Sequence, residues 1–208
     1  MMSRRGWLAP TIALIALALS ACSAPEAIPD FRYYRLAPAA QIAALPKPVL
    51  DKPLVVESFR ADGVHGERPI LYANDVDSIK VSQYHYQLWN DPPPVMVQRR
   101  LQELLQQARV AEYVTDRLSG RLSGYRLTGT VYRFERVLVD GTPTEVVLGV
   151  RLRLEASEAT LPLIERDELL RVPVSGNTVE DSAVALSAAV DQLAKRLIVA
   201  LQQRKPAA

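Results

Sequence analysis

The segment YRLTGTVYRFERVLV (residues 125–139), continued by DGTP (140–143) and EVVLGVRLRLEA (145–156), decides the fold. In its second half Val146, Leu148, Val150, Leu152 and Leu154 fall on one side. Glu145, Val147, Gly149, Arg151, Arg153 and Glu155 fall on the other. Alternation with a period of two, with arginines on one face, is the pattern of a half-buried antiparallel strand. The first half is rich in Tyr, Val, Leu and Thr, and Asp-Gly between the two is turn chemistry. A long hairpin is therefore expected at the centre of the fold. A further strand at 168–174 extends the sheet.

Beyond it, a helix starts near Asn177-Thr178. Val179, Ala183, Leu186, Val190, Leu193, Leu197 and Ala200 recur at steps of four and three, which is one helical face. Few flanking charge pairs accompany that seam, so it is expected to pack on the sheet rather than on a partner helix. Upstream, Arg117-Leu118-Ser119-Gly120 repeats as residues 121–124 and reads as a loop. Asp91-Pro92 opens another helix, with Asp91 as acceptor for free N–H groups. Its apolar stripe is Val97, Leu101, Leu104, Leu105 and Ala108, with Gln98, Arg99, Gln102, Glu103 and Gln106 outside. Residues 54–59, 70–73, 78–81 and 84–89 read as short extended pieces. The fold class is α/β or α+β: a mixed, mainly antiparallel sheet packed by two main helices.

The amino-terminal part differs in kind. Arg4 and Arg5 precede an apolar run at 8–19, and Leu19-Ser20-Ala21-Cys22 follows. A charged segment, about a dozen apolar residues and small residues before a cut form an export signal, too short for a permanent span of about 20 residues. Cys22 is the only cysteine of the 208 residues. Leu19, Ser20, Ala21 and Cys22 resemble the lipobox of bacterial lipoproteins, in which acyl groups are placed on the cysteine. Ser23, in place of an aspartate, favours the outer membrane on its periplasmic side. The expected organisation is a signal peptide at 1–21, a lipidated cysteine and proline-rich tether at 22–53, and one domain at 54–208, with the tether joining the domain early through residues 31–36 as a first or edge strand. The mature chain carries 23 basic and 23 acidic residues once Arg4 and Arg5 are removed. That balance gives no basic patch for nucleic acid.

Catalytic and metal motifs are missing from the pattern. No Gly-x-Ser-x-Gly elbow exists, and His65 and His85 form no zinc-binding pair. His65 reads as a solvated loop residue, Asp75 and Asp77 as a turn, and Glu165, Asp167 and Glu168 as a charged loop. No catalytic residue, metal or cofactor is expected. The cluster Tyr84-His85-Tyr86-Gln87-Leu88-Trp89 stands out. As a regular strand it places Tyr84, Tyr86 and Leu88 on one face and His85, Gln87 and Trp89 on the other. Tyr84, Tyr86 and Trp89 are candidate partner contacts, because aromatics concentrate in interfaces, with core packing the more frequent fate of such a cluster.

Taken in order, the lipobox at Cys22, Tyr33-Tyr34-Arg35-Leu36, residues 54–59 and Arg68-Pro69-Ile70-Leu71-Tyr72 resemble the ABC-type transport auxiliary lipoprotein (PqiC-like) family. The resemblance continues through Trp89, the Leu101, Leu104 and Leu105 helix, residues 125–134, residues 146–154 and the alanine-rich final helix. Asn90-Asp91-Pro92-Pro93-Pro94 departs from the family by its run of prolines, which alters the helix entry. The resemblance implies a fold like the TolB N-terminal domain and no enzyme activity. It also implies partnership with an MCE-domain protein and an ABC permease and ATPase. The role implied is docking a lipid transporter at the outer membrane, with a homo-oligomeric ring as one form, in support of membrane integrity. The competing reading is a stand-alone lipoprotein that carries a lipid or small molecule in an enclosed apolar pocket.

Overall fold

A computed structural model of the protein describes residues 29–117 and 123–203. The expected hairpin is its spine. Strand β7 (Tyr125–Val139) and strand β8 (Thr142–Ala156) pair antiparallel along their whole length. Asp140 and Gly141 join them with φ of 51° and 78°, the positive pair that a two-residue hairpin turn requires. Val146, Leu148, Val150, Leu152 and Leu154 are all buried on the helix side. One extra residue at Tyr132 bulges β7, where Val131 faces Val150 and Arg133 faces Gly149. The Tyr132 ring lies over Gly149, where an added Cβ would come within 2.5 Å of it. That close approach is what the glycine permits.

The other edge of β7 is shared by three short parallel strands in succession. These are β2 (Leu54–Val56), β3 (Arg60–Ala61) and β4 (Pro69–Ala73). Strand β4 pairs antiparallel with β5 (Ser82–Trp89), and β5 pairs parallel with the edge strand β1 (Arg32–Tyr34). Strand β6 (Val114–Thr115) lies outside β2, and β9 (Ile164–Pro173) outside β8. The sheet is mixed: its long pairings are antiparallel, its short ones mostly parallel.

Helix α1 (Pro93–Gln107) and helix α2 (Val179–Gln203) cover one face. Leu101, Leu104, Leu105, Leu186, Val190 and Leu193 are fully buried there. Helix α2 packs along β8 and β9, as its seam predicts, and also against α1. Its start is a reciprocal cap. Thr178 Oγ1 accepts the Asp181 N–H at 3.0 Å, and Asp181 Oδ2 accepts the Thr178 N–H at 3.0 Å. The Thr178 hydroxyl also donates to Asp181 Oδ2 at 2.6 Å, and that bond, with the one from the Thr178 N–H, holds the Asp181 carboxyl below its usual range.

Several expectations are corrected. Pro92, not Asp91, sits at the cap position of α1 and makes no side-chain bond there. Proline runs φ near the helical value, so the entry forms without a capping acceptor, and Asp91 pairs with Arg99 at 3.0 Å instead. Gln98 is buried rather than outside, because its Nε2 donates to the Val56 carbonyl at 3.0 Å. Residues 78–81 form no strand: Ser78 Oγ accepts the Lys80 N–H and donates to the Lys80 carbonyl, a local competitor of sheet pairing. Residues 164–168 are strand and not loop. Cross-strand neighbours Glu165 and Arg153, and Asp167 and Arg151, place opposite charges side by side on an exposed face.

The tether boundary also moves. One compact unit begins at Phe31, where the expected early strand joins the sheet, so the body includes residues 31–53 as well as 54 onward. Prolines deny this segment a helix, but several of its N–H groups find partners on the body. Ala37 donates to Ser187 Oγ at 2.8 Å, Leu45 to the Ala108 carbonyl at 2.9 Å and Leu50 to the Val110 carbonyl at 2.9 Å. Leu36, Ile42 and Leu45 pack on the core. Much of the loop read at 117–124 lies outside the described residues, as do Leu19, Ser20, Ala21 and Cys22. No helix among the described residues is long and apolar enough to cross a membrane.

Candidate functional site

The aromatic segment of β5 divides in two. Trp89 is 1 % exposed, and its ring meets Phe134 edge-on at 5.3 Å between centroids. It is a core residue, which corrects its reading as a partner contact. The reason is a bulge. Pro69 faces Leu88 and Leu71 faces Gln83, so two steps on β4 are matched by five on β5. The strict alternation fails there. Tyr84 and Trp89, five residues apart, both turn to the helix side. The Trp89 Nε1–H is buried with no acceptor among the described residues.

Tyr84 is half-buried and structural in its bonding. Its Oη accepts from Arg136 Nη1 at 2.7 Å, and its ring lies 4.8 Å from that of Tyr72. Burial pushes the Tyr84 hydroxyl pKa up, and the Arg136 charge pulls it partly back. Arg136 itself is 3 % exposed, and burial lowers its pKa. Its guanidinium also donates to Ser182 Oγ at 2.8 Å and to the Thr178 carbonyl at 3.2 Å. It thereby ties the turn end of the hairpin to the start of α2. Tyr86 alone of the three candidates is exposed. Its ring meets Phe31 at 5.5 Å, and Tyr33 lies nearby on β1 under the Arg68 guanidinium at 5.2 Å. Phe31 and Tyr33 are both 56 % exposed.

Two buried charge clusters were not legible as such. On the sheet face away from the helices, Glu135 accepts from Arg133 Nε at 2.8 Å and faces His65 Nε2 at 3.1 Å. His65 Nδ1 faces the Asp62 carbonyl at 3.1 Å, so this residue is docked rather than solvated. Burial works to raise the Glu135 pKa, but the bonds from His65 and Arg133 outweigh it and the net displacement is downward. On the helix side, Arg100 donates to Asp191 Oδ1 at 2.7 Å, to the Ala37 carbonyl at 2.8 Å and to the Pro38 carbonyl at 2.9 Å. Asp191 also accepts the Ala40 N–H at 3.2 Å. The pair clamps the incoming chain across both helices. At a third place, Tyr132 Oη donates to Asp167. Burial first, then that bond, lifts its pKa to about 12.

Glu135 is tied to Arg133 and His65, Asp191 to Arg100, and Arg136 to backbone at the start of α2, so these charges hold elements of the fold together. No metal-binding group occurs among the described residues. A cleft of ≈ 660 Å³ lies between residues 33–38 and the Glu180, Ala183 and Val184 side of α2, and another of ≈ 480 Å³ beside Tyr113.

The model of the ABC-type transport auxiliary lipoprotein component matches residues 34–198. The chain belongs to that family. Its fold is shared with a crystal structure of a DUF330 protein from Xanthomonas campestris, at 19 % identity and a TM-score of 0.67. That match covers 83 % of this chain and 98 % of the other. A second crystal structure, of an uncharacterized protein, matches at 18 % identity and a TM-score of 0.65, over 82 % and 98 % of the two chains. A PelC dodecamer from Paraburkholderia phytofirmans matches at 17 % identity over 80 % and 97 % of the chains. Its TM-score of 0.43 is too low to carry its assembly over. Among curated proteins none matches the chain significantly. Membership makes this an auxiliary lipoprotein component of ABC-type transport.

Proposed function

We propose that this auxiliary lipoprotein docks an MCE-type lipid transporter at the outer membrane, facing the periplasm, and so supports membrane integrity. Its partners are an MCE-domain protein and the ABC permease and ATPase of the same system. Cys22 carries the acyl anchor. The observation that carries this reading is the family match over residues 34–198. The body is consistent with a gripping role: the space between sheet and helices is filled by side chains such as Leu101, Leu104, Leu148 and Leu193.

Native membranes solubilised in mild detergent test the reading. Affinity capture of the acylated chain is expected to bring down an MCE-domain protein and a permease together. Recovery of neither, with a lipid retained by the isolated chain, supports the stand-alone carrier instead.

A further inference from the structure

Phe31, Tyr33 and Tyr86 are exposed rings that stand where the chain from Cys22 joins the fold. We infer that Phe31, Tyr33 and Tyr86 form a surface that lies on the bilayer holding the anchor. The inference rests on the Cys22 anchor proposed above, and not on the transporter's identity.

Chain length is the first argument. Phe31 is nine residues from Cys22, a reach of at most about 30 Å even when fully extended. The sheet edge that begins at Phe31 is therefore held close to the membrane, whatever the rest of the body does. The second argument is composition. Tyrosine is an amphipathic ring suited to the membrane–water interface, and phenylalanine adds apolar area that enters the headgroup boundary beside it. The exposed Arg68 guanidinium lies over the Tyr33 ring, a cation placed to meet anionic headgroups beside the aromatic surface. The third argument is the shape of the edge. Strand β1 is three residues long, and Pro29 and Pro38 bracket it. Proline offers no N–H, so the edge is a poor template for an added protein strand. What it does present is side chains: Phe31 against Tyr86, and Tyr33 under Arg68.

The acylated chain, reconstituted in vesicles of phosphatidylethanolamine and phosphatidylglycerol, tests this. With Cys22 acylated, Tyr86→Cys or Phe31→Cys supplies the only free thiol, to be labelled with bimane. Glu112→Cys, exposed beside β6 at the far end of the strand order, is the control. Brominated lipids are expected to quench the labels at 31 and 86 at least about twofold more than the label at 112. Equal quenching at the three sites overturns the inference. So does a label at 86 shielded from brominated lipid and aqueous iodide alike, which marks a protein interface. A chain that fails to float with vesicles removes the anchor, and this surface with it. A chain that floats with position 86 unquenched removes only the surface.

Discussion

At Trp89 a substitution separates the two fates of an aromatic residue. The ring is buried against Phe134, so Trp89→Ala leaves a cavity and is expected to cost about 3–5 kcal/mol in denaturant unfolding. An unchanged unfolding midpoint with loss of a captured complex would return Trp89 to the interface. Glu135 is a second residue-scale case, and its sign is set by the direction of its pKa. The folded value lies below the ordinary 4.5, held there by His65 and Arg133 against burial. Its contribution is thus complete above that ordinary value and lost as pH falls through the lower folded one. Glu135→Gln should be less stable than the natural chain at pH 7, and the gap should narrow in acid. Thermal unfolding of both chains from pH 7 to 3 measures it, and a gap that widens in acid contradicts the assignment.

Among the elements, the clamp on residues 37–40 explains how a proline-rich segment belongs to the body. Arg100→Met leaves Asp191 buried without its partner, and the expected loss is about 3–5 kcal/mol. Adding Asp191→Leu removes the stranded charge and should recover part of it. Chemical denaturation of the single and double variants decides, and strictly additive losses would refute the clamp. The hairpin makes a second element-scale claim. Gly129 has the Phe59 ring 2.4 Å from where a Cβ would stand, so Gly129→Ala must displace a core ring and is expected to cost about 1–3 kcal/mol. These elements also show what the chain order made legible. Strand β8 was readable because its alternation is unbroken and its core face is entirely aliphatic. Helix α2 was readable because its seam never slips. Strand β5 misled because a bulge swaps its faces midway, and no local pattern announces a bulge. The clamp was invisible because Ala37 and Ser187, or Arg100 and Asp191, meet only through tertiary packing. Of the candidate site, the Cys22 reading rests on its sequence neighbours alone, whereas the division of Tyr84, Tyr86 and Trp89 required the sheet register.

For the whole molecule, folding and anchoring should be separable, because they draw on different residues. The core runs from Leu50 to Leu201 and is closed by burial without a disulfide, since Cys22 is the only cysteine. Membrane attachment, by contrast, needs more than one acyl chain, since each buried methylene contributes about 0.8 kcal/mol and a single chain holds only marginally. Cys22→Ser is therefore expected to leave the unfolding midpoint unchanged while moving the protein from the membrane fraction to the soluble one. Metabolic labelling with palmitate reads the anchor, and thermal unfolding reads the fold. Label retained by the variant would reject Cys22 as the acylated residue. A lowered midpoint would mean that the tether contributes to the body beyond Phe31. A variant that stays folded, loses label and no longer recovers the transporter from membranes would show that the grip on the partner depends on being held at the bilayer.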